Sequence, residues 1–202
     1  MSGLGRIFLI RHGDTVGNSR ERFHGSGDVA LSAEGRLQMR AAARALPIDC
    51  SDIVVASPLR RAWASAAIVA PGAPVRLEAA FREIDFGRWE GLTAQEIEAR
   101  DPVLYRDWQS NPSFDFPGGE RRADFRARVH EGLERLLSGG ARTALVVVHK
   151  GVVRAIAEKL CGEPLERGVP GLGVVVQLSR PADGVWYHGR KASHPRAAYS
   201  TP

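Results

Sequence analysis

The sequence predicts an α/β domain of three layers, a mostly parallel central sheet with helices on both faces. Two observations carry that expectation. The runs Ile7-Phe8-Leu9-Ile10 and "ALVVV" (Ala144 to Val148) are apolar at every position, the pattern of strands covered on both sides. Segments with helical apolar spacing lie between such runs, and strands that alternate with helices build parallel sheets.

The elements follow in order. Ile7–Ile10 is the first strand. "LSAEGRLQMRAAARALP" reads as a helix capped by Ser32 and stopped by Pro47. "DIVVAS" is a second strand running into "SPLRRAWASAAIVA", where Ser57 can cap and Pro58 takes the first helical position, at which its missing N–H costs nothing. "LTAQEIEAR" opens with Thr93 and Glu96 at the spacing of a capping box. "DPVLYRDWQSNPSFDFPGGER" reads as an irregular aromatic excursion over one face. Phe125, Val129, Leu133, Leu136 and Leu137 then mark a helix reaching Gly139-Gly140. "ALVVVHKG" is a buried strand, "VVRAIAEKLCG" the helix after it, and "GVVVQLSRPADGVWYHG" a terminal hairpin turning at "PADG". Residues 1–190 are expected to form one domain, with 191–202 a flexible tail.

Composition narrows the classes of function. The 202 residues are 44% hydrophobic and 25% charged, ordinary for a globular protein. No apolar run is long enough to span a bilayer and no hydrophobic leader opens the chain, so a cytoplasmic protein without a membrane partner is expected. Cys50 and Cys161 lack metal-ligand spacing and read as buried free thiols. The net charge of +5 comes largely from arginines such as Arg36, Arg40, Arg44, Arg126, Arg128 and Arg135, at spacings that suit solvated helix faces. Without a basic run interleaved with aromatics, nucleic acid is not an expected partner.

Two strands share one grammar. "IFLIRHG" and "ALVVVHKG" each end in a histidine with a glycine close behind, and parallel strands place both ends on the edge where open α/β folds bind ligands. Arg11 precedes the first histidine, and Arg60-Arg61 open the helix after "VVAS". Guanidinium groups and a helix N-terminus suit phosphate oxygens. "EIDFGRWEG" adds Glu83, Asp85 and Glu90 on a loop. Together these residue types suit phosphoryl transfer through a histidine, which needs neither metal nor cofactor. A neutral imidazole attacks phosphorus, arginines neutralise the equatorial oxygens, and an acid protonates the leaving oxygen.

From Ile7 to about Gly162 the chain resembles the histidine phosphatase superfamily, the phosphoglycerate-mutase-like fold. "RHGDTVGN" is similar to its Arg-His-Gly signature, which implies His12 as the phosphorylated nucleophile with Arg11 and Asn18 as phosphate ligands. "SPLRRA" implies Arg61 as the second phosphate-binding arginine. "FREIDFGRWEG" implies Glu83 as proton donor; on residue type alone, Asp85 and Glu90 read as loop and cap partners and Trp89, Tyr105 and Trp108 as core or rim aromatics. "VVVHKGVVRA" implies His149 as the residue that stabilises the transferring group, and "FPGGERRADFRARV" resembles the segment before the penultimate helix.

The chain also departs from that pattern. Val148 and Lys150 replace the usual hydroxyl residue and glycine around the second histidine, so His149 must be held in another way. Arg121 and His24 are unusual at their positions, and Asp14 is one methylene shorter than the common Glu. Lys150, Arg121 and His24 together suggest a substrate with a second anionic group. The resemblance to the compact branch that includes the α-ribazole phosphatases implies a phosphomonoester hydrolase acting on a small-molecule phosphate monoester. A homodimer is the default assembly. The alternatives are a cofactor-dependent mutase-type phosphoryl transferase and a non-catalytic phospholigand-binding module.

Overall fold

Side chains from Ile7 to Ile10 and from Ala144 to Val148 are buried throughout, as continuous apolar strands require. The structure is a computed structural model that describes residues 4–17, 21–47, 51–166, 168–181 and 184–188. In chain order it contains β1 (Arg6–Arg11), α1 (Ala33–Ala45), β2 (Ile53–Ala56), α2 (Arg60–Val69), β3 (Val75–Leu77), α3 (Ala94–Arg100), α4 (Pro102–Ser110), α5 (Arg122–Leu137), β4 (Thr143–Val148), α6 (Lys150–Cys161), β5 (Val175–Ser179) and β6 (Tyr187–His188). The sheet order is β3-β2-β4-β1-β5-β6.

Strands β3, β2, β4 and β1 are parallel, β5 runs antiparallel to β1 and β6 antiparallel to β5, so the sheet is mixed. The period-2 alternation of strands sorts the side chains into two cores. Phe8, Ile10, Val54, Ala56, Leu145 and Val147 pack with α1 and α2 through Met39, Ala42, Ala66 and Val69. Ile7, Leu9, Val55, Ala144, Val146 and Val148 face the other way, against α5 and α6 through Phe125, Val129, Leu133, Val152 and Ile156. Full burial of one such side chain stabilises the fold by ~1.5–3 kcal/mol. Val148 is therefore a core contact, not a vacated hydroxyl position.

The local signals behave mostly as their chemistry dictates. Ser32 accepts from the Gly35 N–H, and Thr93 with Glu96 forms the complete capping box of α3. Two expectations fail. The helix after β2 begins at Arg60, because Pro58 and Leu59 stay outside it and Leu59 is buried; Asp28 accepts from the Arg60 N–H in place of a Ser57 cap. The aromatic excursion contains α4, which Pro102 starts from the first-turn position that tolerates it. β3 is a further strand that no apolar run announced. Cys161 is a free, half-buried thiol, while Cys50, the hairpin apex at 182–183 and residues 191–202 lie outside the described residues. Among those described, no helix is long and apolar enough to cross a membrane.

The first histidine loop leans on a backbone crossing at two glycines. A Cβ on Gly13 would overlap the Gly35 carbonyl, and one on Gly35 would overlap the Asp14 carbonyl. The Asp14 carboxylate accepts from Ser32 Oγ at 2.7 Å, tying the loop to the α1 cap. Gly35→Ala is expected to destabilise the protein by about 1–3 kcal/mol, through overpacking that backbone cannot relieve. A urea midpoint unchanged from wild type would contradict this.

Candidate active site

The parallel register brings three strand ends side by side. Arg11 pairs with Val148 and Ala56 with Val147, so His12, His149 and Ser57 are the first residues past the ends of β1, β4 and β2. The backbone N–H of His12 donates to Val148 O at 2.9 Å, extending the ladder by one rung. All three residues are buried.

His12 Nδ1 lies 2.7 Å from the Gly13 carbonyl oxygen, which can only accept, so Nδ1 carries the proton. Its Nε2 lone pair then accepts from Arg61 Nε at 3.2 Å. Burial, reinforced by the Arg61 and Arg11 guanidinium groups, holds the imidazole well below its ordinary pKa. His12 is therefore neutral near pH 7, with its free nitrogen among cations. Arg61 is completely buried, and three carbonyl oxygens, of Gly27, Gly25 and His24, accept its Nη groups at 2.6, 2.6 and 3.2 Å. Arg11 donates through Nη1 to Pro170 O at 3.2 Å, and its buried Nε has no partner among the described residues.

His149 answers the question that Val148 raised. Its Nε2 lies 2.8 Å from Ser57 Oγ, which in turn accepts from the Leu59 N–H at 3.3 Å. If the hydroxyl donates to Nε2, the His149 proton sits on Nδ1, a buried atom with no partner among the described residues. The His12 and His149 rings meet edge to face with centroids 5.1 Å apart. Burial first, then Arg61, keeps His149 neutral as well.

Glu83 is the buried carboxylate of the site. One oxygen accepts from the Gly151 N–H, in the first turn of α6, at 3.0 Å, and the other from the Ile84 N–H at 3.1 Å. Burial raises its pKa against the pull of those amides and of Arg61 and Arg11. A Cβ at position 151 would overlap Glu83 Oε1, so glycine is what lets the acid reach the helix end.

A clamp that the sequence did not reveal positions this acid. Arg128 binds Glu120 through two contacts of 2.6 and 2.7 Å and donates to the carbonyls of Ala80, Arg82 and Glu83. Read as a solvated helix residue, Arg128 is instead partly buried, because four carboxylate and carbonyl partners converge on it. Asp85 and Glu90 are loop partners as expected: Asp85 accepts from Gly87, and Glu90 from the N–H groups of Gly25, Ser26 and Phe86. Trp89 is core, its indole N–H donating to Asp101.

Arg11, His12 and Glu83 line a cavity of about 400 Å³, with His24, Lys150 and Trp108 on its walls. Arg61 and His149 are wholly buried beside His12. Arg121 does not line this cavity; its side chain is 70% exposed and lies 3.7 Å from Asp115. Arg22, Arg122 and Arg154 line it instead. The signal for Arg154 was its spacing, one helical turn beyond Lys150 on the same helix face. Asn18 lies outside the described residues. Among those described, no three His, Cys, Asp or Glu side chains cluster so as to hold a metal ion.

Residues 7–171 match the histidine phosphatase superfamily, branch 1. The chain belongs to that superfamily. It is 34% identical over 179 residues to the glucosyl-3-phosphoglycerate phosphatase of Mycobacterium tuberculosis, covering 83% of this chain and 80% of that one. A bifunctional protein of the same organism is 40% identical over 149 residues, 71% of this chain but only 41% of that protein's length. The fold superposes on the α-ribazole phosphatase of Shigella flexneri with a TM-score of 0.80 at 26% identity, covering 93% of this chain and 96% of that one.

The two buried imidazoles make stability pH-dependent. Each binds its proton less readily in the folded state than in the unfolded chain, where the pKa is ~6.5. Their contribution is fully present above that value and is lost as pH falls below it. Glu83 acts in the opposite direction, since its raised pKa makes the folded state take up a proton first. The urea midpoint is expected to fall between pH 7.5 and 5.5, and His149→Gln to flatten the fall. A wild-type midpoint that is level across this range would contradict the assignment.

Proposed function

We propose that this histidine phosphatase hydrolyses phosphate monoesters of small metabolites through a phosphohistidine on His12, with Glu83 as general acid. The observation that carries the reading is the state of His12: a neutral ring, its proton pinned on Nδ1 by the Gly13 carbonyl, its Nε2 lone pair beside Arg61. A nucleophile whose electron pair is unprotonated, engaged only by the Arg61 N–H, and surrounded by cations suits attack on phosphorus. The unpartnered Arg11 Nε and His149 Nδ1 are buried donors that phosphoryl oxygens would satisfy.

In the first step a substrate phosphate displaces the Arg61–His12 contact and takes the Arg61 and Arg11 donors on its oxygens. His12 Nε2 forms the N–P bond as the P–O ester bond breaks, and protonated Glu83 gives its proton to the departing oxygen. His149 donates from Nδ1 to the transferring group, whose charge spreads over its oxygens in the transition state. In the second step ionised Glu83 takes a proton from water, the water oxygen attacks phosphorus, and the N–P bond breaks to return neutral His12. The raised pKa of Glu83 supports the acid role, because a carboxyl must be protonated near working pH to donate. The named phosphatases among its relatives support hydrolysis.

Hydrolysis of p-nitrophenyl phosphate in EDTA tests the reading. Turnover is expected to survive the chelator and to fall by at least about 10³-fold in His12→Ala. Wild type without turnover would sink the proposal. The role of Glu83 is separable by leaving group. Glu83→Gln is expected to slow an alkyl phosphate by ~10²–10⁴-fold and p-nitrophenyl phosphate far less, since p-nitrophenolate departs without a proton. Equal losses on both substrates would remove Glu83 from the acid role.

A further inference from the structure

The cavity holds more cations than one phosphate uses. Arg11 reaches it beside His12, yet Arg22, Arg122, Lys150 and Arg154 also line it, and Glu83 is the one carboxylate among its lining residues. Arg22 is already neutralised, 2.9 Å from Glu96. Arg122 and Arg154 are different: among the described residues neither has a carboxylate within ion-pair distance.

Both guanidinium groups are held in place by acceptors that carry no charge. Arg122 donates through Nε to Phe114 O at 2.7 Å and lies 5.1 Å from the Phe116 ring centroid. Arg154 donates through Nη1 to Glu166 O and Val169 O at 2.9 and 3.1 Å. Each contact fixes the side chain and leaves other N–H groups of the same fork for a ligand. Half-burial, with Arg126 nearby, weakens the hold of Arg122 on its proton, and the opposing pull of Asp115 and Glu83 offsets this only in part.

Their position says what they could do. Beyond the first cavity lies a second of about 660 Å³, between the end of α4, the start of α5 and the first turns of α6. Trp108, Arg122, Gly151 and Arg154 line both. The two arginines thus stand at the junction of the cavities, and the recess beyond them is lined by the polar Gln109, Ser110 and Asn111 and by the Arg126–Glu158 ion pair.

We propose that Arg122 and Arg154 seat a second anionic group, a carboxylate or a second phosphate, of the substrate whose phosphate is attacked by His12. The inference rests on the phosphatase reading and narrows it to small phosphomonoesters with a second anionic group. A guanidinium fork binds a planar or tetrahedral oxyanion through paired N–H groups, which no neutral substituent reproduces. Arg121, the residue that the sequence suggested for this task, lies outside the cavity, and its neighbour Arg122 takes the place. Lys150, one turn before Arg154 on α6, adds positive potential to the same wall.

The test compares matched substrates. We would measure kcat/KM for 3-phosphoglycerate against glycerol 1-phosphate, and for fructose 1,6-bisphosphate against fructose 6-phosphate, in wild type, Arg122→Gln and Arg154→Gln. Wild type is expected to favour the doubly anionic member of at least one pair by about tenfold or more, a discrimination that paired charged hydrogen bonds supply. Both variants should bring that ratio toward one. A response in the first pair alone assigns a carboxylate, and in the second alone a second phosphate. Arg122 packs on Phe116 and its loss could perturb folding, so Arg154→Gln and Arg122→Lys guard the result: Lys keeps the charge but not the fork, and should retain part of the preference that Gln abolishes. Ratios near one in wild type, or a preference that survives both Gln variants, would overturn the inference while p-nitrophenyl phosphate turnover upheld the phosphatase reading. Calorimetric binding of the same pairs, run in parallel, decides the subsite even if turnover is missing: equal affinities within each pair would overturn it.

Discussion

The pairing of β1 with β4 is the constraint from which the site follows. Parallel register sets Arg11 opposite Val148, and only because the two strands end on the same rung do His12 and His149 emerge together, 5.1 Å apart. A slip by one residue would turn Phe8 and Ile10 toward the core that receives Ile7 and Leu9, so packing on both faces fixes the register. β2 on the far side of β4 obeys the same rule and delivers Ser57 beside His149. Hydrophobic alternation thus sets distances between polar atoms that never touch either core.

Gathering two arginines, two imidazoles and a carboxylate out of water is costly, and the fold offsets the cost unevenly. The Arg61 guanidinium is surrounded by the carbonyls of residues 24, 25 and 27. Those carbonyls converge because Glu90 collects the amides of Gly25 and Ser26 on the other side of the same loop. Charge on Arg61 is thereby kept while charge on both histidines is refused. The result is a site of net positive potential with its nucleophile uncharged, a combination that favours a dianionic ligand before any chemistry begins.

The strands, the capping residues of α1 and α3, and the two histidine ends were legible in the sequence because each depends on residues close in the chain. Choosing Arg61 over Arg60 was legible only through family likeness: the helix start alone offers both, and burial of one with exposure of the other is a tertiary fact. Arg121 was misread for the same reason. It precedes α5 with an exposed side chain, whereas Arg122, one residue on, turns toward the cavity. The role of Ser57 was hidden by its fitness as a cap; a hydroxyl before a helix satisfies the local pattern equally well while serving a histidine 92 positions away. Periodicity and capping report what a residue does to its own element, and pairings across the sheet leave no such trace.

The "GGE" segment shows how far such pairings reach. Glu120 is not in the cavity, yet its carboxylate holds Arg128 in the orientation that serves three carbonyls of one short backbone segment, those of Ala80, Arg82 and Glu83. Gly119 makes this possible by allowing its backbone to lie against the Asp85 carbonyl, where a side chain would not fit, and Glu120 N–H donates to that same oxygen at 3.0 Å. Glu83 is thus fixed from both ends, its backbone by Arg128 and its carboxylate by the Gly151 amide. An acid that must first give a proton and then take one from water has to hold its place through a change of charge. The Gly151 and Ile84 amides favour the ionised form, whereas the Arg128 contact to the Glu83 main-chain carbonyl does not change with the carboxyl's charge, and that backbone anchor is what allows both roles to fall to one residue.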